Sequence, residues 1–355
     1  FPYIFIHQRQ NKLMLEVIHN IKELYPLKDE LEKIYTNQSG LNFYSPNYVI
    51  KCFEHFLIHN KSNRLFFIVV KRNHLIVAYL PLYIDKNKIL RFVFDKHTDY
   101  CACVGEQLDH LSVKDLCKII LQEKEIRGIE FDNLLPADEL LNYTRHYLGT
   151  GSVIFSYNNH SFLETKPGEG MLLHLKSKEK SELKRITKKN EAFPFEIFDR
   201  QMEYPLQKVK ALRDSMIKSK TRGNDFLEDN FIDFTRLLFE AGELEIFAKS
   251  DGERLVSASF VLINNKGKRI VWIDMYDDVP FVNLSAYIEY INHLEKNNLP
   301  YLSLGRGSYD YKSKNFLPQI ENLYNLRYHK SKFHFLFTNF HPIKQFVKRL
   351  MRKAS

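Results

Sequence analysis

The chain has 355 residues, an apolar share of 44%, 13 Gly, 12 Pro, 4 Cys and a net charge of +9. That length fits two domains or one large one, and the composition excludes a disordered chain, a collagen and a disulfide-built scaffold. Neither G-x-x-x-x-G-K-[ST] nor G-x-G-x-x-G occurs, which argues against P-loop and standard dinucleotide-binding folds.

In chain order, Leu13, Val17, Ile21, Leu24, Leu27, Leu31 and Ile34 recur every 3 or 4 positions, which predicts an N-terminal helical segment within 1–42. Ser45-Pro46 reads as a cap and first-turn proline opening a helix to about Asn60. Arg64 to Val70 and His74 to Ile84 form a hairpin signal around Lys71-Arg72-Asn73. A strand from Ile89 to Phe94, a helix from Ser112 to about Ile126 and a strand from Gly128 to Asp132 follow. Three helical stretches come next: Lys176 to Asn190, Tyr204 to Ser219 and Asp225 to Ala241.

The earlier order then returns. Glu243 to Ala248 and Arg254 to Ile263 form a hairpin, Arg269 to Met275 a third strand, Leu284 to about Lys296 a helix, and Tyr301 to Leu304 a strand. Leu75 matches Leu255, Asp99 matches Asp277 and Phe131 matches Leu304, at offsets of about 175 residues, so one α/β unit is used twice. Strands near Ile320 to Tyr328 and Phe333 to Phe337 precede a terminal helix from Ile343 to Met351. The expected domains are a first unit over 43–165, a second over 166–330 with a basic connector at 176–222, and a basic segment at 331–355. No Pro- or Ser-rich linker separates the halves, so close packing is expected.

The charge is concentrated. Lys176 to Arg222 holds 14 basic and 7 acidic residues, and Arg327 to Lys353 holds 8 basic and none acidic, so the rest of the chain is mildly acidic. Such patches suit phosphorylated ligands, nucleic acid or an anionic membrane surface, and equally a solvated helix face. The tail, with Ile343, Phe346, Val347, Leu350 and Met351 opposite five basic residues, suits docking on the domain or peripheral contact with anionic lipid. No run of 18 apolar residues occurs, so no membrane span is expected and the expected compartment is the cytoplasm. Cys52, Cys101, Cys103 and Cys117 contain no C-x-x-C and read as buried free thiols. His55 and His59 stand four apart without a third ligand or H-E-x-x-H, so no metal is expected, and Trp272 reads as core.

The hairpin–strand–helix–strand order resembles the core of the acyl-CoA N-acyltransferase (GNAT) fold. Gly242-Glu243-Leu244, Asp251-Gly252, Ser257-Ala258, Tyr276-Asp277, Leu304-Gly305-Arg306-Gly307, Tyr311-Lys312 and Phe316 sharpen that likeness. Ser45-Pro46, Leu80-Pro81-Leu82-Tyr83 and Thr98-Asp99-Tyr100 fit in the first half. Over about residues 43 to 318 the chain resembles the tandem-GNAT acetyltransferase family of bacterial cellulose and exopolysaccharide synthesis, and it is similar to Fem-type peptidyltransferases. Where that family often has Pro-Gly before the second-repeat helix, this chain has Val282-Asn283-Leu284-Ser285, and the glycine-rich pyrophosphate loop is absent.

The resemblance implies an α/β (α+β) fold of two GNAT-like mixed-sheet domains. It also implies N-acyl transfer from a coenzyme A thioester to an amino sugar, nucleotide-linked, for surface polysaccharide. Amide formation needs a proton acceptor for the amine, donors for the oxyanion, and a proton or positive dipole for the thiolate. Asp99 and Asp277, each ending the third strand of its repeat, are the paired candidates, or else turn and capping aspartates. Asp99 is preferred because Tyr100 and His97 adjoin it, with Tyr276 (and Asp274) in reserve. Asn283 and Ser285 could cap the second-repeat helix or meet phosphate at its start. Gly305, Arg306, Gly307 and Lys312 offer close backbone approach and charge, with Tyr311 alongside for substrate. Arg185 and Lys189 on one helix, and Lys220 and Arg222 in the next loop, are candidates for a nucleotide diphosphate or plain solvated charge. No nucleic-acid partner is expected on this reading. A Fem-type aminoacyl-tRNA-dependent transferase and a non-catalytic assembly or membrane-surface partner are the rivals.

Overall fold

The structure is a computed structural model that describes residues 13–37, 43–136, 138–166, 168–264, 266–307 and 310–331. The strand at 333–337 and the basic tail helix expected from the sequence lie outside those residues. In order come β1 (Met14–Ile18), α1 (Lys28–Asn37), α2 (Pro46–Cys52), β2 (Arg64–Leu65), β3 (Phe67–Arg72) and β4 (Leu75–Leu80). Next are β5 (Leu82–Ile84), β6 (Ile89–Phe92), β7 (Val104–Gly105), α3 (His110–Gln122), β8 (Gly128–Leu134), α4 (Glu139–Leu148) and β9 (Ser152–Glu164). Then follow α5 (Ser177–Lys189), β10 (Phe195–Phe198), α6 (Leu206–Lys218), α7 (Asp229–Glu240), β11 (Leu244–Asp251) and β12 (Arg254–Ile263). The last elements are β13 (Arg269–Tyr276), α8 (Val282–Lys296), β14 (Tyr301–Arg306), α9 (Asp310–Asn315) and β15 (Gln319–His329).

These elements form two compact units, one of Phe1–Ile34, Phe56–Tyr157 and Leu323–Ser355, the other of Tyr35–His55 and Asn158–Asn322. The fold is mixed α/β, and each unit has the GNAT-like order of antiparallel strands followed by a parallel pair joined through a helix. In the first unit β3 lies between β1 and β4, with β7 beyond, all antiparallel. A second run of strands has the order β2-β5-β6-β8-β15, in which only β6 and β8 are parallel. In the second unit the order β10-β11-β12-β13 is antiparallel and β14 joins β13 in parallel.

The duplicated strands differ in continuity. β12 serves both neighbours along one continuous ten-residue strand. In the first unit Pro81, which lacks a backbone N–H, interrupts the equivalent run, so β4 stays with β3 while β5 pairs with β2 and β6.

The start of α2 is the one that Ser45-Pro46 predicts. Ser45 accepts a bond from the Tyr48 N–H with Pro46 in the first turn of α2. Asp109 and Asp138 cap α3 and α4 in the same way. α8 is buried on nearly all sides through Val282, Leu284, Ala286, Tyr287, Ile288, Tyr290, Ile291 and Leu294, so it forms the core of the second unit with Phe247, Val261 and Leu302. All four cysteines are buried, and none is in a disulfide. Burial raises the thiol pKa values of Cys52, Cys103 and Cys117, so these three stay protonated.

One expectation needs correcting. The helical spacing over Leu13 to Leu24 does not yield a helix: Met14–Ile18 is a strand and Ile21–Glu23 a short 3-10 turn, with helix only from Lys28. The cause is non-local, since every residue of β1 finds a ladder partner between Phe67 and Lys71 of β3.

Candidate active site

Parallel strands that diverge leave a crevice at their carboxyl ends, where ligands enter α/β units. Each unit contains such a fork. In the first, β6 and β8 pair at Ile89 with Gly128 and Leu90 with Ile129. Beyond that the chain turns and comes back, and Cys101 bridges to Leu134 with its N–H donating to the Asn133 carbonyl at 2.9 Å. The returning segment fills the fork and buries Asp99 and Tyr100 within it. A partly buried ionic array lies beside it. Arg91 pairs with Asp85 at 3.0 Å, with Asp95 at 3.3 Å and with Glu130, while Arg327 pairs with Asp132.

In the second unit the pairing of β13 with β14 covers only Arg269 with Leu302 and Ile270 with Ser303 among the described residues. A bulge shapes each strand of this fork. On β13, Ile273 faces Phe260 and Val271 faces Val261, so Trp272 is an extra residue. Trp272 packs on Phe231 and Phe234 of α7. In an unbroken strand Asp274 would share that face; after the bulge it meets α8 instead. On β14, Ser303 faces Phe162 and Arg306 faces His160 of β9, with one extra residue between them. Gly305 takes φ +79° there, a conformation open to glycine.

The redirected Asp274 gathers three hydroxyls. Ser259 of β12 donates at 2.7 Å, Tyr287 of α8 at 2.9 Å, and Tyr311 of α9 at 3.3 Å. Burial, and then the neighbouring Asp274 carboxylate, raise the pKa of the Tyr287 phenol. Of the three hydroxyl-bearing residues only Tyr311 is not fully buried. Ser257 donates to the Asn283 side-chain oxygen at 3.0 Å, which turns that amide inward. Such a set can take a proton from a nucleophile and hand one to a leaving group.

Behind β14, His160 lies buried with Nε2 2.7 Å from the Ser303 hydroxyl, which accepts the Gly305 N–H at 3.1 Å. Burial, then Lys312 and Lys268, lower the His160 pKa to about 4, so the ring is neutral at pH 7. Lys312 is itself buried and donates to the carbonyls of Gly305 and Arg306, both at 3.3 Å.

The mouth of the fork is the loop from Asp277 to Phe281. Arg254 pairs with Asp277 at 2.8 Å, and Ser215 of α6 donates to the same carboxylate at 3.0 Å. Asn190, ending α5, donates to the Pro280 carbonyl at 3.4 Å. Buried Lys249 fastens this corner: it pairs with Glu289 of α8 at 2.6 Å and donates to the Asn190 and Phe193 carbonyls at 3.2 and 3.0 Å. These links tie to the loop the end of α5, with exposed Lys188 and Lys189, and α6, which ends in exposed Lys218 with Lys220 just beyond.

The residues named from sequence are therefore dispersed. Asp99 and Tyr100 sit in the filled fork, and His97 is exposed with its ring stacked on Phe94 at 4.5 Å. Tyr276 and Asp277 stand at the mouth of the other fork, Asp277 held by Arg254 and Ser215. The capping role expected of Asn283 and Ser285 is not what the structure has. Phe281 occupies the cap position without a side-chain bond, Asn283 turns toward Ser257, and Ser285 is fully buried. Gly305, Arg306, Gly307 and Lys312 form the β14 bulge and its exit, with the Gly305 carbonyl taken by Ser161 and Lys312. Arg185 is engaged by Glu182 at 2.6 Å, Lys189 lies over Phe281, and Arg222 over Phe226. Tyr287, Ser259 and Phe281 escaped the sequence reading. An aspartate on an apolar strand, as at Asp274, is the signal that could have led to them.

No protein-family model matches the chain, and no curated protein matches it. Solved structures do. The C-terminal domain (DUF2156) of a lysylphosphatidylglycerol synthetase from Agrobacterium fabrum is 13% identical over 88% of this chain and 94% of its own, with a TM-score of 0.60. A conserved protein of unknown function from Bacteroides thetaiotaomicron is 12% identical over 89% and 100%, with a TM-score of 0.57. L-PGS from Bacillus licheniformis is 13% identical over 86% and 92%, with a TM-score of 0.56. At such identities the likeness is one of fold.

Proposed function

We propose that the chain is an N-acyltransferase working at the fork of the second unit, passing an acyl group from a coenzyme A thioester to the amine of a nucleotide-linked amino sugar for surface polysaccharide. The observation that carries the reading is the Asp274 carboxylate, turned into the fork by the Trp272 bulge and bonded to Ser259, Tyr287 and Tyr311. A thioester supplies an activated acyl carbon with a thiolate leaving group. Asp274, through the Tyr311 hydroxyl, takes the proton that the attacking amine loses as the N–C bond forms. The same hydroxyl returns a proton to the departing sulfur as the C–S bond breaks, so the array ends as it began. The mouth loop has no glycine and carries Asp277 and Asp278, so the phosphates of either substrate fit the flanking Lys188, Lys189, Lys218, Lys220 and Arg222 better than the loop itself. The test is thiol release from acyl-coenzyme A with a panel of nucleotide-linked amino sugars; no release with any pair removes this reading.

A second reading is aminoacyl transfer from a charged tRNA. It is favoured by the fold likeness to a lysylphosphatidylglycerol synthetase domain, whose name describes joining a lysyl group to a lipid. Discharge of aminoacyl-tRNA, with RNA binding that weakens steeply as salt rises, would select it over the first.

A further inference from the structure

The residue that starts α8 is out of place by ordinary rules. Phe281 has φ 62° and ψ 11°, the left-handed region that glycine and asparagine occupy cheaply and a bulky side chain does not. Its ring is also 49% exposed, so neither backbone preference nor burial explains a phenylalanine there. Such outliers concentrate where a fixed geometry serves a ligand.

Its surroundings say which ligand. Lys189 Nζ stands 5.7 Å from the ring centroid. Asn190, next in sequence, holds the Pro280 carbonyl just before the ring. Across the loop, Ser215 holds Asp277, and one helical turn later come exposed Lys218 and Lys220, then half-buried Arg222. Asp277 is already neutralised by Arg254. An exposed ring with one ammonium over it, and further cations on a turn that follows a helix tied to the same loop, combines a stacking plate with phosphate partners.

We propose that Phe281 stacks on the base of a nucleoside diphosphate whose phosphates are held by Lys189 and the Lys218–Arg222 turn. The proposal leans on the function above only in that this moiety is shared by coenzyme A and a nucleotide-linked sugar. The ring contributes base affinity and the lysines phosphate affinity, and the two separate by substitution. Phe281→Asn keeps a residue that tolerates the left-handed backbone while removing the ring; Phe281→Trp keeps a stacking face.

The experiment is calorimetric titration of the full chain with ADP, UDP and inorganic pyrophosphate at fixed salt. The intact protein binds at least one nucleotide about tenfold or more tighter than pyrophosphate, and Phe281→Asn removes that advantage without changing pyrophosphate affinity. Phe281→Trp restores it, and Lys189→Gln weakens all three ligands. ADP against UDP tells the adenine of a coenzyme from the uracil of a sugar nucleotide. A nucleotide bound no tighter than pyrophosphate, or bound equally by Phe281→Asn, overturns the proposal. Acyl transfer is not read out, so its absence would strike the proposed function and leave this assignment standing.

Discussion

The buried imidazole of His160 makes the stability of the second unit depend on pH in a calculable way. In the folded chain its pKa is lowered to about 4, against roughly 6.5 for an unperturbed histidine. The unfolded chain therefore takes up a proton between pH 6.5 and 4 that the folded chain refuses. The stabilisation is fully present above pH 6.5 and is lost as pH falls toward 4, by about 3 kcal/mol in all. Trp272 is the single tryptophan and lies in the second unit, so its fluorescence during urea unfolding reports on that unit. Measured at pH 7.5 and 4.5, the unfolding free energy of the native chain should fall by about 2 kcal/mol more than that of His160→Gln. Parallel profiles for the two proteins, within about 0.5 kcal/mol, would refute the assignment of a neutral, desolvated ring.

Asp95 in the first unit runs the other way. Burial, against the opposing Arg91, raises its pKa to about 6, so its cost is absent near pH 4 and complete above 6; Asp95→Asn should flatten that fall, worth about 3 kcal/mol, in circular dichroism melts. Lys249→Met should destabilise the second unit by about 3 kcal/mol or more in urea, because Glu289 and two carbonyls lose a buried partner, and Lys249→Met with Glu289→Leu should recover part of the loss. Asp274→Asn should lower kcat about a hundredfold with little change in KM, whereas Asp99→Asn should leave turnover intact in steady-state assays. An unaffected Asp274→Asn enzyme would send the search for a proton acceptor elsewhere.

The duplication was plain in the sequence because it is written in local signals. Ser45-Pro46, the Asp251-Gly252 turn and the apolar run of α8 each specify their element without help from distant residues. The strand Met14–Ile18 was not legible, since its few residues fit a helical period and only β3 makes them a strand. The surroundings of the candidate residues were hidden for a similar reason. Both aspartates were expected to end a third strand, but only Asp277 directly follows one, where it is tied to Arg254; β6 stops at Phe92 and Asp99 lies on the returning segment beyond it. The residue the fork gathers around, Asp274, owes its direction to one extra residue in β13, and a bulge leaves no mark on apolar alternation.

The proline that divides one central strand and not its copy bears on how each unit opens. β12 carries hydrogen bonds to β11 and β13 along one unbroken backbone, so its amides can be released to solvent only by loosening three strands together. At Pro81 that bond is cut, and β4 and β5 answer to different neighbours. Hydrogen exchange should thus find a single slow block through β12 but two independent rates either side of Pro81. Exchange of that pattern would mean that the first unit opens in halves, while the second keeps the floor of its fork as a single piece.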